Sequence, residues 1–325
     1  MEKKITFYVA SCVPDGGVYL CELDDGNVET KKVISVPSPM WIEPAEDGNL
    51  WVLMRSPFED NPNSGVAKYS LTDKRQLGEI LSTEGEVACH LAVCGSDLYG
   101  ANYISGSIWS SRGKVVTHSG KGINPVRQKS PHVHSVFFSP EKKYVLSCDL
   151  GIDKIFVYNR DLNLVSEAST PAGSGARHLV FSKDSRYVYV ISEMGASIHV
   201  YEWIDGILSH LTHVSVLPEG MTEGKGSAIR LSSDGKRLYV TERATRTIAV
   251  FEVSGEKLKL MQRIDCRGDE PRDLLLIANE ECAVCANQFS DSCSVYKVEK
   301  EGSLTYISSF GISTPISIVE QKTSQ

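Results

Sequence analysis

The chain has no excess of basic residues: 34 Lys and Arg stand against 41 Asp and Glu over 325 residues, a formal net charge of −7. A general nucleic-acid or anionic-membrane binder needs a basic face, so neither partner is expected. No apolar stretch approaches the roughly 20 residues that a membrane-spanning helix requires. No secretory apolar region follows Met1-Glu2-Lys3-Lys4-Ile5, which leads straight into a strand-like run. There is no long segment of 3.6-residue apolar period to mark a helix. Nor is there an even cysteine framework. The nine cysteines are an odd number, scattered singly in β-like runs (Cys12, Cys21, Cys148, Cys293), where a small buried hydrophobe is the plain reading. A reducing cytoplasm is the expected home. What is present, 41% hydrophobic and 23% charged residues, excludes disorder as the main state and suffices for a large core. Length alone suggests about two domains, although closed β folds exceed that size as single units.

Internal repetition settles the organisation. Gly175-Ala-Arg-His-Leu-Val-Phe-Ser182, a charged turn, then Tyr187-Val-Tyr-Val-Ile-Ser-Glu193 and Ser197-Ile-His-Val-Tyr201 align with Gly226-Ser-Ala-Ile-Arg-Leu-Ser-Ser233, Leu238-Tyr-Val-Thr-Glu-Arg243 and Thr247-Ile-Ala-Val-Phe251. The residue at the mouth of each first strand is Met40, Cys89, His134, Arg177, Ser227, Arg272 or Pro315, at intervals of 49, 45, 43, 50, 45 and 43. Each unit is a set of short Val-, Ile-, Tyr- and Phe-rich runs split by Gly, Asp, Ser and Asn turns. Four strands per unit of about 45 residues is the spacing of a propeller blade. The spacing predicts an all-β, seven-bladed propeller of four-stranded antiparallel blades spanning residues 1–325 as one domain. The last unit stops after Thr314-Pro-Ile-Ser-Ile-Val319 and the first opens late, so the C-terminal strand is expected to complete the N-terminal blade.

In a blade, the start of strand one and the end of strand two meet at one mouth of the central channel. Strand-one starts supply His132, His134, Arg177 and Arg272. Strand-two ends supply Asn102 with Tyr103, Asp149, Glu193, Arg243, and Asn287 with Gln288. Arg177 to Glu193, Ser227 to Arg243 and Arg272 to Gln288 are each 16 residues apart, hence equivalent places in successive blades. Polar groups gathered in a concavity are the default signal of a ligand site. Three arginines against one or two carboxylates favour an anionic ligand, because a guanidinium presents a fixed fork to carboxylate or phosphate.

These residues also carry a family resemblance. Cys89-His-Leu-Ala-Val with Ala101-Asn-Tyr-Ile-Ser-Gly-Ser107, Pro131-His-Val-His-Ser-Val-Phe-Phe-Ser-Pro140 with Asp149-Leu-Gly-Ile-Asp-Lys-Ile155, Tyr239-Val-Thr-Glu-Arg243, Glu270-Pro-Arg272, Ala286-Asn-Gln288 and Pro315-Ile-Ser-Ile318 follow in order. Together they resemble the lactonase, seven-bladed β-propeller family over nearly the whole chain. That family includes cycloisomerase-type 6-phosphogluconolactonases and the fungal carboxymuconate lactonising enzyme, both metal-independent. The resemblance implies a carboxylic ester hydrolase acting on an anionic sugar lactone, foremost 6-phosphogluconolactone. It also implies a site built from His134, Arg177, Glu193 and Arg243. His132, Arg272, Asn102, Tyr103, Asp149 and Gln288 are the expected substrate-binding neighbours. Departures are Ser139-Pro-Glu-Lys142 in place of Ser-Pro-Asp-Gly, Ser192-Glu193 in place of Asn-Glu, and no clear third-to-fourth strand spacer around residues 108–118.

Lactone hydrolysis needs an activated water, charge stabilisation on the carbonyl oxygen and a proton for the leaving alkoxide. Glu193 or His134 is the candidate base and acid, with Arg177 and Arg243 on the anionic oxygens and Arg272 and His132 toward a phosphate. Plainer readings exist. Arg177 and Glu193 form a structural ion pair; His134 is a hydrogen-bonded strand-end histidine. His132 and His134 with Asp149 offer only two firm ligands where zinc wants three or four, so no metal and no cofactor is expected. Cys282-Ala-Val-Cys285 has redox spacing, but within a strand i and i+3 face opposite ways, so both read as core. The glycine-rich loops at Gly173-Ser-Gly175 and 220–226 precede no helix and are not phosphate cradles. A rim-presenting scaffold and a lactone-forming cycloisomerase are the competing functions, and a monomer or weak homodimer is expected.

Overall fold

Runs that are apolar at nearly every position, such as Tyr187–Ser192 and Leu50–Met54, must be covered on both faces, as only a strand within a stack of sheets is. Largely polar runs such as Asn27–Ser35 belong at an outer edge. The computed structural model, which describes residues 4–320, places them so. The first three residues of the charged opening lie outside the described residues. Among the described residues, twenty-eight strands form seven four-stranded antiparallel sheets, with one short 3-10 turn at Gln288–Ser290. Six blades each use four consecutive strands. In the remaining blade the C-terminal strand Pro315–Glu320 pairs with Ile5–Ser11, setting Tyr8 opposite Val319 and closing the ring.

Adjacent blades pack face to face through aromatic and β-branched side chains. Between blades five and six, Tyr189, Val200, Ile229, Val240 and Phe251 interlock, all essentially inaccessible to solvent. Each such large side chain stabilises the fold by about 1.5–3 kcal/mol. The turn residues differ from the usual pattern without changing the turn. In blade four Lys142 takes φ +59°, donates its amide to the Ser139 carbonyl at 2.8 Å, and occupies the place of Gly235 in blade six. Blade three does have a spacer: Ser107–Ser110 and Lys114–Thr117 are joined by a tight turn in which Gly113, at φ +83°, donates to the Ser110 carbonyl. Its shortness hid it from the sequence.

All nine cysteines are free, and Cys285 lies in the core. No helix among the described residues is long and apolar enough to cross a membrane.

Candidate active site

Two repeated backbone devices aim side chains into the mouth. The first is a β-bulge between strands one and two of every blade. One extra residue on the first strand is left out of the ladder and its side chain is re-aimed. The bulge falls at Met40, Cys89, His134, Arg177, the pair Ser227 and Ala228, and Arg272. In the closing blade it falls at Ile316, because Pro315 pairs with Ser11 as Pro39 pairs with Met54. Pro315 is therefore one residue early as the anchor of that blade.

The second device is a single hydrogen bond. Just past strand two, one amide donates to the carbonyl that precedes strand one. The donors are Cys12, Arg55, Tyr103, Leu150, Glu193, Arg243 and Gln288. The residue before each donor points the other way, as alternation requires. Hence Asp149 is equivalent to Ser192, not to Glu193, and the mouth position of blade four is Leu150. Asp149 is fully buried, accepting from the backbone of His132 (2.8 Å) and Gly151 (2.9 Å), with His118 Nδ1 at 2.6 Å. Asn102 is likewise buried, its Nδ2 donating to the Thr83 carbonyl at 2.9 Å. Both knit loops together and neither reaches the cavity.

The mouth holds a cavity of about 270 Å³ lined by Met40, Arg55, Val87, Cys89, Tyr103, Arg127, His134, Glu193, Lys225, Arg243, Glu270 and Arg272. Five cationic side chains face two carboxylates there, although the chain as a whole is acidic. Glu193 is the hub. Its Oε1 accepts from Arg127 Nη2 at 2.6 Å; its Oε2 accepts from Arg177 Nε at 3.2 Å and lies 2.8 Å from Arg243 Nη2. Burial pushes this carboxyl up, but the guanidiniums of Arg243, Arg177 and Arg127 with His134 outweigh it and hold it well below the usual range. His134 Nε2 stands 3.9 Å from Glu193 Oε2, and its Nδ1 is buried without a partner. Burial, then Arg177, drives its pKa well below 6.5, so the imidazole is neutral at pH 7. Arg177 lies behind the wall, 1% exposed and bonded to the Ser227 carbonyl at 2.8 Å. Burial and then Arg243 press its pKa down, Glu193 supports it, and it stays a cation.

The cations differ in how they are paired. Arg243 Nη1 meets Glu270 Oε1 at 2.9 Å, and Lys225 reaches Glu270 Oε2 at 3.2 Å. Arg272 donates only to Gln288 Oε1, at 3.2 Å, and among the described residues no carboxylate lies within ion-pair distance of Arg272 or Arg55. His132 sits beside the cavity. Its Nδ1 meets the Tyr103 carbonyl at 2.9 Å, and its ring stacks on Tyr103 at 4.5 Å. Of the residues expected from sequence, His134, Glu193, Arg243, Arg272 and Tyr103 line the cavity; Arg177, His132 and Gln288 support them. Arg55, Arg127, Lys225 and Glu270 were missed. Arg55 lies 15 residues after Met40, one short of the 16-residue spacing in the later blades, which would have pointed to Ser56. Arg127 comes from an insertion between blades three and four that has no repeat register. A larger hollow of about 830 Å³ lies at the opposite strand ends between the first and last blades, lined by Lys4, Asp25, Glu281 and Lys297 among others.

A seven-bladed propeller with a cation-rich mouth, an ionised carboxylate and a neutral imidazole defines a class: a β-propeller with the groups of an enzyme site gathered at one mouth. Comparison with known proteins narrows that class. The model of the family "Lactonase, 7-bladed beta-propeller" matches residues 6–319, and the chain belongs to that family. It is 31% identical over 338 aligned positions to the 6-phosphogluconolactonase of Bacillus subtilis, covering 93% of this chain and 94% of that one. A solved protein of Lactobacillus plantarum superposes with a TM-score of 0.90 at 27% identity, covering 98% and 99% of the two chains. The periplasmic gluconolactonase of Pseudomonas aeruginosa gives 0.84 at 24% identity over 98% and 99%, a likeness of fold. The chain is thus an enzyme of the lactonase type.

Proposed function

We propose that the mouth cavity hydrolyses 6-phosphogluconolactone to 6-phosphogluconate, in a reducing cytoplasm. The observation that carries this is the sorting of the arginines. Those around Glu193 are paired, while among the described residues no carboxylate lies within ion-pair distance of Arg272 or Arg55, which leaves both to take an anionic group on the substrate. The nine free thiols fit a reducing compartment.

In this reading neutral His134 accepts a proton from water at Nε2 as the hydroxyl oxygen bonds to the lactone carbonyl carbon. Glu193, 3.9 Å away, is too weak a base at neutral pH to compete; its charge stabilises the imidazolium as it forms. Arg243 and Arg127, on the cavity wall, face the developing oxyanion. When the tetrahedral intermediate collapses, the ring C–O bond breaks and the imidazolium returns its proton to the alkoxide. The new carboxylic acid then ionises, releasing one proton to solvent.

That proton is the assay. Alkali uptake should follow turnover of 6-phosphogluconolactone, with unphosphorylated gluconolactone slower through a higher KM. Turnover of unsaturated dicarboxylates alone, followed by ultraviolet absorbance, would replace hydrolysis with lactone formation. No turnover of any of these would overturn the reading.

A further inference from the structure

Blade five carries three imidazoles on its two outer strands, away from the inner-strand ends that build the mouth. His199 lies on Ser197–Ile204, and His210 and His213 lie on Ile207–Ser215. His213 is directly opposite His199. In an unbroken ladder the next residue sharing that face would be Leu211. A bulge intervenes: Thr212 pairs with Val200 and His210 with Tyr201, leaving Leu211 as the extra residue. The bulge thus rotates His210 onto the face of the other two histidines. Ring centroids are 5.7 Å apart for His199 and His210, 5.6 Å for His199 and His213, and 6.5 Å for His210 and His213. One ring nitrogen from each lies within 4.8 Å of the others.

A second observation points to a ligand. His199 is 1% exposed, and neither of its ring nitrogens has a hydrogen-bond partner. Leaving a buried polar atom unpaired costs about 1–3 kcal/mol, so such atoms need an explanation. His178 in the central channel is also unpartnered, but its nitrogens converge with no other two ligands among the described residues. We propose that His199, His210 and His213 bind one divalent cation of the zinc class through three imidazole nitrogens, leaving a fourth position to water. An all-imidazole set suits zinc, copper or nickel; calcium and magnesium take oxygen. Tetrahedral ligands about 2.0–2.1 Å from zinc stand roughly 3.3 Å apart, a closure that rotation of the two exposed rings can supply. The cation would pin the outermost strand of blade five to its neighbour.

The test is calorimetric titration of Zn2+ into untagged full-length protein and into the H210Q/H213Q variant at pH 7.5. The wild type should take one equivalent and melt at a higher temperature with Zn2+ than without. The variant should bind at least about 100-fold more weakly, the upper end of what losing even a supporting group costs a metal site. Both substituted residues are exposed, so metal-free melting should match the wild type and confirm folding. Equal binding by the variant would move the metal to thiols or other histidines and overturn the site, as would no saturable binding by the wild type. Lactone turnover should be the same in both proteins, so the outcome is independent of the mouth chemistry.

Discussion

Glu193→Gln separates the two roles that the mouth network combines. The amide keeps the shape of the carboxylate but removes the negative charge from among three guanidiniums at 2.6, 2.8 and 3.2 Å. Arg243 retains Glu270 at 2.9 Å, and Arg127 is 37% exposed and can turn to water. Arg177 has neither recourse: it is 1% exposed and keeps only the Ser227 carbonyl. Stranding one member of a buried pair costs about 3–5 kcal/mol; the partners left to Arg243 and Arg127 put the expected loss near the lower end. Urea unfolding should show it as an earlier midpoint. Arg127→Gln touches the same carboxylate from a solvated position and should cost at most about 1 kcal/mol. Turnover should respond separately. A charge about 4 Å from the forming imidazolium is worth up to about 4 kcal/mol at an effective dielectric near 20. Folded Glu193→Gln should therefore turn over at least about 100-fold more slowly, since each 1.36 kcal/mol is tenfold. Adding Arg177→Met to it should recover much of the stability and none of the rate. An unchanged urea midpoint with turnover within tenfold of wild type would refute both halves of the reasoning.

His134→Ala should cut turnover at least about 100-fold. Because burial and Arg177 lower the pKa of His134, the base stays deprotonated to below pH 6.5; the acid limb of kcat/KM should lie below that value, and a limb at or above it would exclude His134. Arg272→Gln should raise KM for the phosphorylated lactone roughly 10- to 100-fold, from a charged hydrogen bond of about 1.5–3 kcal/mol, with kcat little changed. A collapse of kcat at constant KM would place Arg272 at the reacting atoms instead. Asp149→Asn should destabilise by about 1–3 kcal/mol through its buried acceptors, while folded enzyme keeps kcat/KM within about threefold. A large loss of rate without loss of stability would put Asp149 in the site after all.

The propeller was legible because strand period, turn chemistry and repeat interval all point the same way. The ring closure was legible from two truncated ends. The site was legible only to within one residue. Asp149 and Pro315 each stand one place from the position that faces the channel, and in a strand one place is the opposite face. The 16-residue spacing from Arg177 to Glu193, counted from His134, gives Leu150 and not Asp149; from Met40 to Arg55 the spacing is 15 and from Cys89 to Tyr103 it is 14, so no single count serves the whole ring. Arg127 was beyond any periodic signal, since its loop interrupts the repeat. His210 was hidden behind a bulge. The net charge of −7 was equally blind to five cations gathered at one mouth.

The bulges also show that the ring is uneven in what it presents to the mouth. Every blade presents one re-aimed residue, but Ile316, Met40 and Cys89 of blades one to three are apolar, whereas His134, Arg177, Ser227 and Arg272 of blades four to seven are polar or charged. The partner positions past strand two sharpen the asymmetry. Glu193 and Arg243 fall in blades five and six, next to His134, while Arg55 stands across in blade two, near Arg272 by way of the closing blade. In the proposed reading, an anionic substrate would have its charge toward Arg272 and Arg55 and its carbonyl toward His134 and Arg243. A carbon edge is left against Met40, Val87 and Cys89. Enlarging that wall with Cys89→Phe should exclude substrate without touching a charged group, raising KM for every lactone alike. If Cys89→Phe instead discriminated between charged and uncharged lactones, the substrate would lie the other way round.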